Sequence, residues 1–212
     1  MTDGMFGYVL PSMDKYCEAV IIHVKISVAA ILYGLVIAIP LGILCAKYHK
    51  ISYAILNLLN ILRVIPSLAI LLLAMPLGGT GFMSALLALV VLAMPPILIS
   101  TYTGLKAISP AVLEWAAAMG MSGGKILFSV EIPLAMPLII SGLRTSATEV
   151  IASATIASYI GAGGLGDFIF TGIGMNDTKM LLTGGISVAV LSVFTEVFLA
   201  VLQHIVTKDQ HI

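Results

Sequence analysis

Charge is what this sequence has least of. Only 9% of its 212 residues are Asp, Glu, Lys or Arg, where a soluble domain carries roughly 25%. That shortage excludes a water-exposed globule. With 60% hydrophobic residues and a mean hydropathy of +1.14, the chain reads as a polytopic membrane protein. A formal net charge of zero supplies no basic surface for nucleic acid. Cysteine is scarce too. Cys17 and Cys45 flank the first apolar block, so they are expected on opposite sides of the membrane, where they cannot bridge. The first residues, MTDGMFGYVLPSMDKYCEA, lack the basic start and short apolar run of a cleavable signal. His23, His49, His204 and His211 do not cluster, and no nucleophile stands beside a base, so neither a metal site nor a catalytic residue is expected.

A spanning helix needs about 20 mostly apolar residues. Five blocks qualify, at roughly 21–46, 53–77, 82–103, 134–160 and 180–206. The fold class is therefore all-α, a membrane bundle of about five spans. Residues 1–19 read as an extracytoplasmic interfacial arm, 20–206 as the transmembrane domain and 207–212 as a cytoplasmic tail. An odd number of spans puts the termini on opposite sides. With the N-terminus outside, Lys47, Lys50, Lys106, Lys125 and Lys208 fall inside and Lys15, Lys25 and Lys179 outside, in the sense that the positive-inside rule favours.

Four charges interrupt the spans: Arg63, Arg144, Glu149 and Glu196. Each costs about 2.5–3.5 kcal/mol in lipid, so they should face a bundle interior or a wet cavity. Their neighbours are polar at helical spacing. Asn57, Asn60, Arg63 or Val64, and Ser67 follow helical spacing on one face of the second span, and Ser141, Thr145, Glu149 and Ser153 recur every four residues in the fourth. With Glu196 these are the candidate lining of a polar pathway. The competing reading is hydrogen-bond glue between helices. Matched depth and balanced charge predict that Glu149 or Glu196 pairs with Arg63 or Arg144.

Two loops remain. Residues 161–179 contain Gly161, Gly163, Gly164 and Gly166. No strand precedes them and no Lys-Ser/Thr follows, so a phosphate loop is excluded. A close reversal of the chain at the outer membrane surface is expected instead, with the short apolar run after it lying in the interface or dipping between helices. Residues 109–133, SPAVLEWAAAMGMSGGKILFSVEIP, form the one sizeable polar interruption. Ser109-Pro110 is a helix-start pair, and Pro133 suits the first turn of the next helix. The expectation is two short helices outside the membrane, joined at a glycine turn. Ala116 and Ala117 allow close approach there, Gly120 allows the bend, Lys125 adds an exposed charge, and Pro133 joins the knob to the fourth span.

Glu114-Trp115-Ala116, three residues, Gly120, nine residues and Val130-x-Ile132-Pro133 resemble the EAA loop of ABC-importer permeases, whose pattern is E-A-A, three residues, G, nine residues, I-x-L-P. Trp115 departs from that pattern by its bulk. Val130 and Ile132 keep its apolar character. Further segments, including HVKIS at 23–27, IPSLAILLLAMPLGGTG at 65–81 and TIASYIGAGGLGDFIFTGI at 155–173, are similar to the osmoprotectant permeases that carry glycine betaine, carnitine or choline. The resemblance implies a type I ABC-importer transmembrane fold in the bacterial cytoplasmic membrane. It implies two ATP-binding subunits holding ATP and magnesium, a second permease subunit and an extracytoplasmic binding protein. It also implies that Glu114 and Gly120 are central to docking the ATPase. No cofactor is expected on this chain. A methionine or other small-solute importer is the alternative within the family, because the GAGGLG segment also occurs in the methionine branch. An ion-coupled secondary transporter using Glu149 and Glu196 is the alternative outside it.

Overall fold

A computed structural model of the chain describes residues 13–208. The interfacial arm therefore lies outside the described residues over 1–12, and the tail over 209–212. Residues 13–19 are the opening turns of a helix.

That helix, α1 (Met13–Lys47), rises about 50 Å at 1.5 Å per residue and overshoots a hydrocarbon core of about 30 Å. The second apolar block is two helices, α2 (His49–Val64) and α3 (Ser67–Gly78), bent through 106° at their junction. Pro66 causes the break. Its ring drives the preceding residue out of the helical region, and Ile65 has φ −73° and ψ 126°. Next come α4 (Phe82–Lys106), α5 (Pro110–Ala118) and α6 (Gly123–Ile126). A π-helical turn, Leu127–Glu131, joins α6 to α7 (Ile132–Ala157). A 3-10 turn, Ser158–Ile160, precedes α8 (Gly166–Gly174) and α9 (Thr178–Lys208). Four helical segments are long and apolar enough to cross a membrane, or five if the bent pair is one span. No strand occurs among the described residues.

The expectation of two short helices over 109–133 needs correction. Only α5 is separate. From Gly123 the helix runs on to Ile160 as one rod of 38 residues, passing through Pro133 rather than starting there. Proline interrupts an α-helix because it lacks an N–H and crowds the carbonyl four residues back. Here the wider π turn immediately before it relaxes that register, as π bulges do in other long helices. The sequence shows the proline but not the turn that absorbs it.

α4 lies between α1 and α7 and packs closely on both. Apolar burial drives little between helices in lipid, so association rests on close van der Waals contact and hydrogen bonds. Small residues supply the contact. A Cβ at Gly42 of α1 would lie 2.7 Å from Thr101 Cβ, and one at Gly142 of α7 would lie 2.5 Å from Ser100 Cβ. Two buried polar contacts cross the core, one from α7 to α4 and one from α1 to α7. Ser146 Oγ donates to the Ala93 carbonyl at 3.0 Å, and His23 Nε2 lies 3.2 Å from the Ile151 carbonyl. Around them pack Ile26, Ala30, Leu71, Leu89 and Val150. α9 stands outside this core against α7 and α8. Its exposed Val190, Val193, Phe194, Val197 and Phe198 suit lipid contact.

Candidate functional site

Three groups of sequence-selected residues occupy three levels of the bundle. At one end, beside the C-terminal ends of α1 and α4, stands the 109–133 segment. Lys47, Lys106, Pro110, Leu113 and Glu131 meet there around a cavity of about 240 Å³. α5 ends in a cap with a specific hydrogen-bond pattern. The Gly120 N–H donates to the Ala117 carbonyl at 2.9 Å, and the Met121 N–H to the Ala116 carbonyl at 3.3 Å. This is a Schellman cap, which requires a left-handed residue at its turn, and Gly120 has φ +79°. Nothing lies within 4 Å of where its Cβ would be, so glycine is needed for backbone conformation and not for space.

Of the EAA triplet, Ala116 is buried at 3% exposure, whereas Glu114 and Trp115 are exposed, as is the following Ala117. Lys125 is exposed as well. Trp115 is 72% exposed and Met119, one turn on, 75%. Val112 completes this row at i−3, and Phe128 is 71% exposed on the rod beyond. Trp115 therefore replaces the small family residue without disturbing the packing of this chain, because its indole projects outward. Its exposure places it on an apolar stripe on the outside of α5.

At mid-height the four charges divide into two arrangements. Arg144 on α7 forms an ion pair with Glu196 on α9, its Nε donating to Glu196 Oε1 at 3.2 Å. Its remaining nitrogen bonds Gln203, whose own amide donates to the Pro137 carbonyl at 3.0 Å. One half of the predicted pairing is thus present as a clamp between α7 and α9. Gln203 escaped the sequence reading because a single amide near the end of an apolar helix carries no periodic signal. Arg144→Gln is expected to lower the thermal denaturation temperature in detergent, and Glu196→Gln also. In the double variant the losses should be less than additive. Strict additivity would mean that the pair contributes nothing.

Arg63 and Glu149 do not pair directly. Both line a cleft of about 430 Å³ formed by the α2–α3 break, Leu92 and Pro95 of α4, and Ser153 of α7, close enough for Arg63 to act electrostatically on Glu149. Ser67 lines the same cleft. A second, open cavity of about 490 Å³ adjoins it through Glu149 and is bounded by Ser141, Arg144, Thr145, Thr148 and Glu196. Thr145, Thr148 and Glu149 are exposed. Asn57 and Asn60 are exposed on α2 below Arg63 and line neither cavity. Arg63 of α2, Ser67 of α3, the polar residues of α7 and Glu196 of α9 thus border two adjoining open clefts that share Glu149 and make one polar face. Such a face is costly against hydrocarbon and is expected to border water or another polypeptide.

At the opposite end the 158–166 turn closes over α1. Gly161, Gly163 and Gly164 all have positive φ. Gly161 sits in a second cap of the Schellman type, with Ala162 N–H on the Ala157 carbonyl, and Ser158 Oγ donates to the Gly163 carbonyl at 2.9 Å. Gly166 is held by close approach, since a Cβ there would lie 2.1 Å from the Thr155 carbonyl oxygen. The apolar run after it is α8, packed on α9, with Phe168 edge-on to Tyr16 of α1 at 6.0 Å. A cleft of about 510 Å³ opens between α1, the glycine turn and α8, and is lined by Lys15, Glu18 and Asp167 among others. Partial burial holds the Asp167 carboxyl above the usual carboxylate range. Among the described residues no group of three His, Cys, Asp or Glu is placed to hold a metal ion.

Comparison with known proteins places the chain in a family. Residues 38–208 match the family of binding-protein-dependent transport system inner membrane components. The glycine betaine/carnitine/choline transport system permease protein OpuCB of Bacillus subtilis (strain 168) is 40% identical over 185 residues, 87% of this chain and 85% of the relative. The permease protein OpuCD of the same named system and organism is 36% identical over 198 residues, 93% of this chain and 83% of the relative. Among solved structures, a chain of the MetNI methionine ABC transporter in an inward-facing conformation superimposes with a TM-score of 0.83 over 93% of this chain and 98% of that one, at 22% identity. That likeness shows the fold alone. The chain belongs to the family of inner-membrane components of binding-protein-dependent transport systems, the permease subunits of ABC importers.

Proposed function

We propose that this permease imports a compatible solute of the quaternary ammonium class, such as glycine betaine, carnitine or choline. Those are the solutes named for OpuCB and OpuCD. The observation that carries the reading is the open polar face at mid-height, with Arg63, Thr145 and Glu149 on an otherwise apolar chain. One chain leaves that face unroofed, so the route is completed by a second permease subunit, identical or similar. That two permeases of one named system both resemble this chain is in keeping with such a pair.

Each permease presents one 109–133 knob, so a pair engages two ATP-binding subunits. The ATPases hold ATP and magnesium and perform the hydrolysis, while this chain supplies the path. The N-terminus of the chain and the glycine-rich 161–179 segment face the binding protein outside, and the C-terminus and the knob face the cytoplasm. Trp115 and Met119 seat in the ATPase surface together with Glu114. The Gly120 cap fixes the angle between α5 and the rod Gly123–Ile160. Because the rod passes unbroken through Pro133 into α7, a push on the knob tilts the helix that carries Arg144 and Glu149. Rigid-body tilts of this kind are a standard basis for switching between outward and inward access.

The secondary-transporter reading is disfavoured by one observation. Glu196, one of its two required carboxylates, is engaged by Arg144. The test is uptake of glycine betaine into vesicles containing the complete transporter, with ATP supplied on the ATPase side and an uncoupler collapsing ion gradients. Uptake should persist with ATP and the uncoupler, and stop when ATP is withdrawn. Uptake that followed the gradient and ignored ATP would overturn the proposal. Uptake of methionine in place of glycine betaine would move the chain to the other branch.

A further inference from the structure

We infer that the cleft at the α2–α3 break is a transient binding site for a zwitterion within the permease, with Arg63 holding the solute's carboxylate and Glu149 facing its ammonium group. This rests on the importer reading above and adds a site to it.

The carrying observation is a contrast between two charge pairs in the same bundle. Arg144 and Glu196 have closed on each other. Arg63 and Glu149 line one cleft of about 430 Å³, yet no ion pair joins them among the described residues. Cancelling them by contact would offset the cost of placing charge inside a membrane. Lining one cavity without closing on each other, they form a dipole, and a small molecule with a cation at one end and a carboxylate at the other is its complement. The volume is in the range of small-molecule pockets and exceeds what the solute alone needs.

The backbone adds to each pole. α3 begins at Ser67 on the cleft wall, so its unpaired N–H groups and positive helix end favour an anion on the Arg63 side. Pro96 lies within α4 and has no N–H for the carbonyl four residues back, which is that of Leu92. Leu92 lines the same cleft, and a carbonyl without its helical donor favours a cation. Interrupted spanning helices that offer one end to an anionic group and free carbonyls to a cation are a recurrent way of holding charged solutes at mid-membrane. No aromatic side chain is among the residues lining the cleft. The ammonium group is therefore held by charge and not against a ring face, which suits a site that must release its solute.

The experiment uses the complete transporter in proteoliposomes, with its binding protein saturated by glycine betaine. Arg63→Gln and Glu149→Gln should each lower uptake about tenfold, the expected effect of removing one charged partner. Binding-protein-stimulated ATP hydrolysis should continue in both, showing a folded and coupled complex. The double variant should transport no better than the worse single variant. Recovery of the double variant towards wild-type uptake would overturn the inference, because two groups that merely neutralise each other tolerate joint removal. Singles that transport as well as wild type would overturn it too. Should either neutral variant fail to assemble, Arg63→Lys and Glu149→Asp keep the charges, and both should retain most of the uptake. Loss in them as deep as a tenfold drop would contradict a site read by charge. A wild-type transporter that moves no glycine betaine would instead overturn the solute class proposed above, and this site with it.

Discussion

Replacing Trp115 by Glu is expected to abolish ATP-driven uptake while leaving the permease folded in the membrane. The indole is 72% exposed and contributes little to the packing of its own chain, so the folded state loses little. Its proposed role lies at the ATPase interface, in a row with Val112 and Met119. Truncating a central Trp anchor typically costs 2 kcal/mol or more of binding, a loss of roughly 30-fold in affinity, and an unpaired buried carboxylate costs further. Co-purification of the ATPase should fall with uptake, and Trp115→Phe should retain most of both. Ala116→Leu should behave differently. Ala116 is 3% exposed, so added bulk displaces α5 itself and lowers the stability of the permease even without its partner. Comparing the two variants by thermal denaturation and ATPase retention separates a docking residue from a packing residue on neighbouring positions.

Gly142→Leu is expected to prevent accumulation of folded protein. Its Cβ would lie 2.5 Å from Ser100 Cβ and 2.7 Å from the Pro96 carbonyl oxygen. The second of these is backbone in the middle of α4 and cannot step aside. Overpacking of this kind costs about 1–3 kcal/mol in ordinary cores. Here the whole α4–α7 interface must part, so the upper end or beyond is expected, and domains hold only about 5–15 kcal/mol in reserve. The control is Gly185→Ala in α9. Nothing lies within 4 Å of that position, and alanine in a helix interior is favoured over glycine by about 1 kcal/mol. Fluorescence-detected size exclusion across a temperature ramp should show Gly142→Leu absent or aggregated and Gly185→Ala at or above the wild-type transition.

Much of this architecture was legible in the residues. The number of spans follows from apolar run lengths, and the turn that ends α5 follows from Gly120. Those signals are local, because each needs only the residues it names. Less local features were hidden. Pro66 and Pro133 look alike in the sequence, yet one breaks the chain through 106° and the other sits inside a continuous rod. The difference is the π turn just before Pro133. Four charges of balanced sign permitted either pairing, and only the relative rotation of α7 and α9 put Arg144 against Glu196 and left Arg63 and Glu149 facing a cleft. Asn57 and Asn60 share the helical face of Arg63 but end short of that cleft, because the break redirects the chain just after Arg63. His23 and Ser146 were missed for the opposite reason. A single polar residue on an apolar helix has no periodicity, and only the neighbouring helix reveals its bond to the Ile151 or Ala93 carbonyl.

The most direct measurement is site-specific photocrosslinking from position 119 in the complete transporter, with a crosslinking residue in place of Met119. Its side chain is 75% exposed at the tip of α5, so the substitution leaves the bundle intact. A covalent adduct with the ATP-binding subunit, strengthened or weakened by adding ATP, is the predicted result. An adduct with the extracytoplasmic binding protein would reverse the orientation and contradict the coupling role of residues 109–133. Full ATP-driven uptake with no adduct to the ATPase, while the same crosslinker elsewhere on the inner surface captures it, would contradict that role as well.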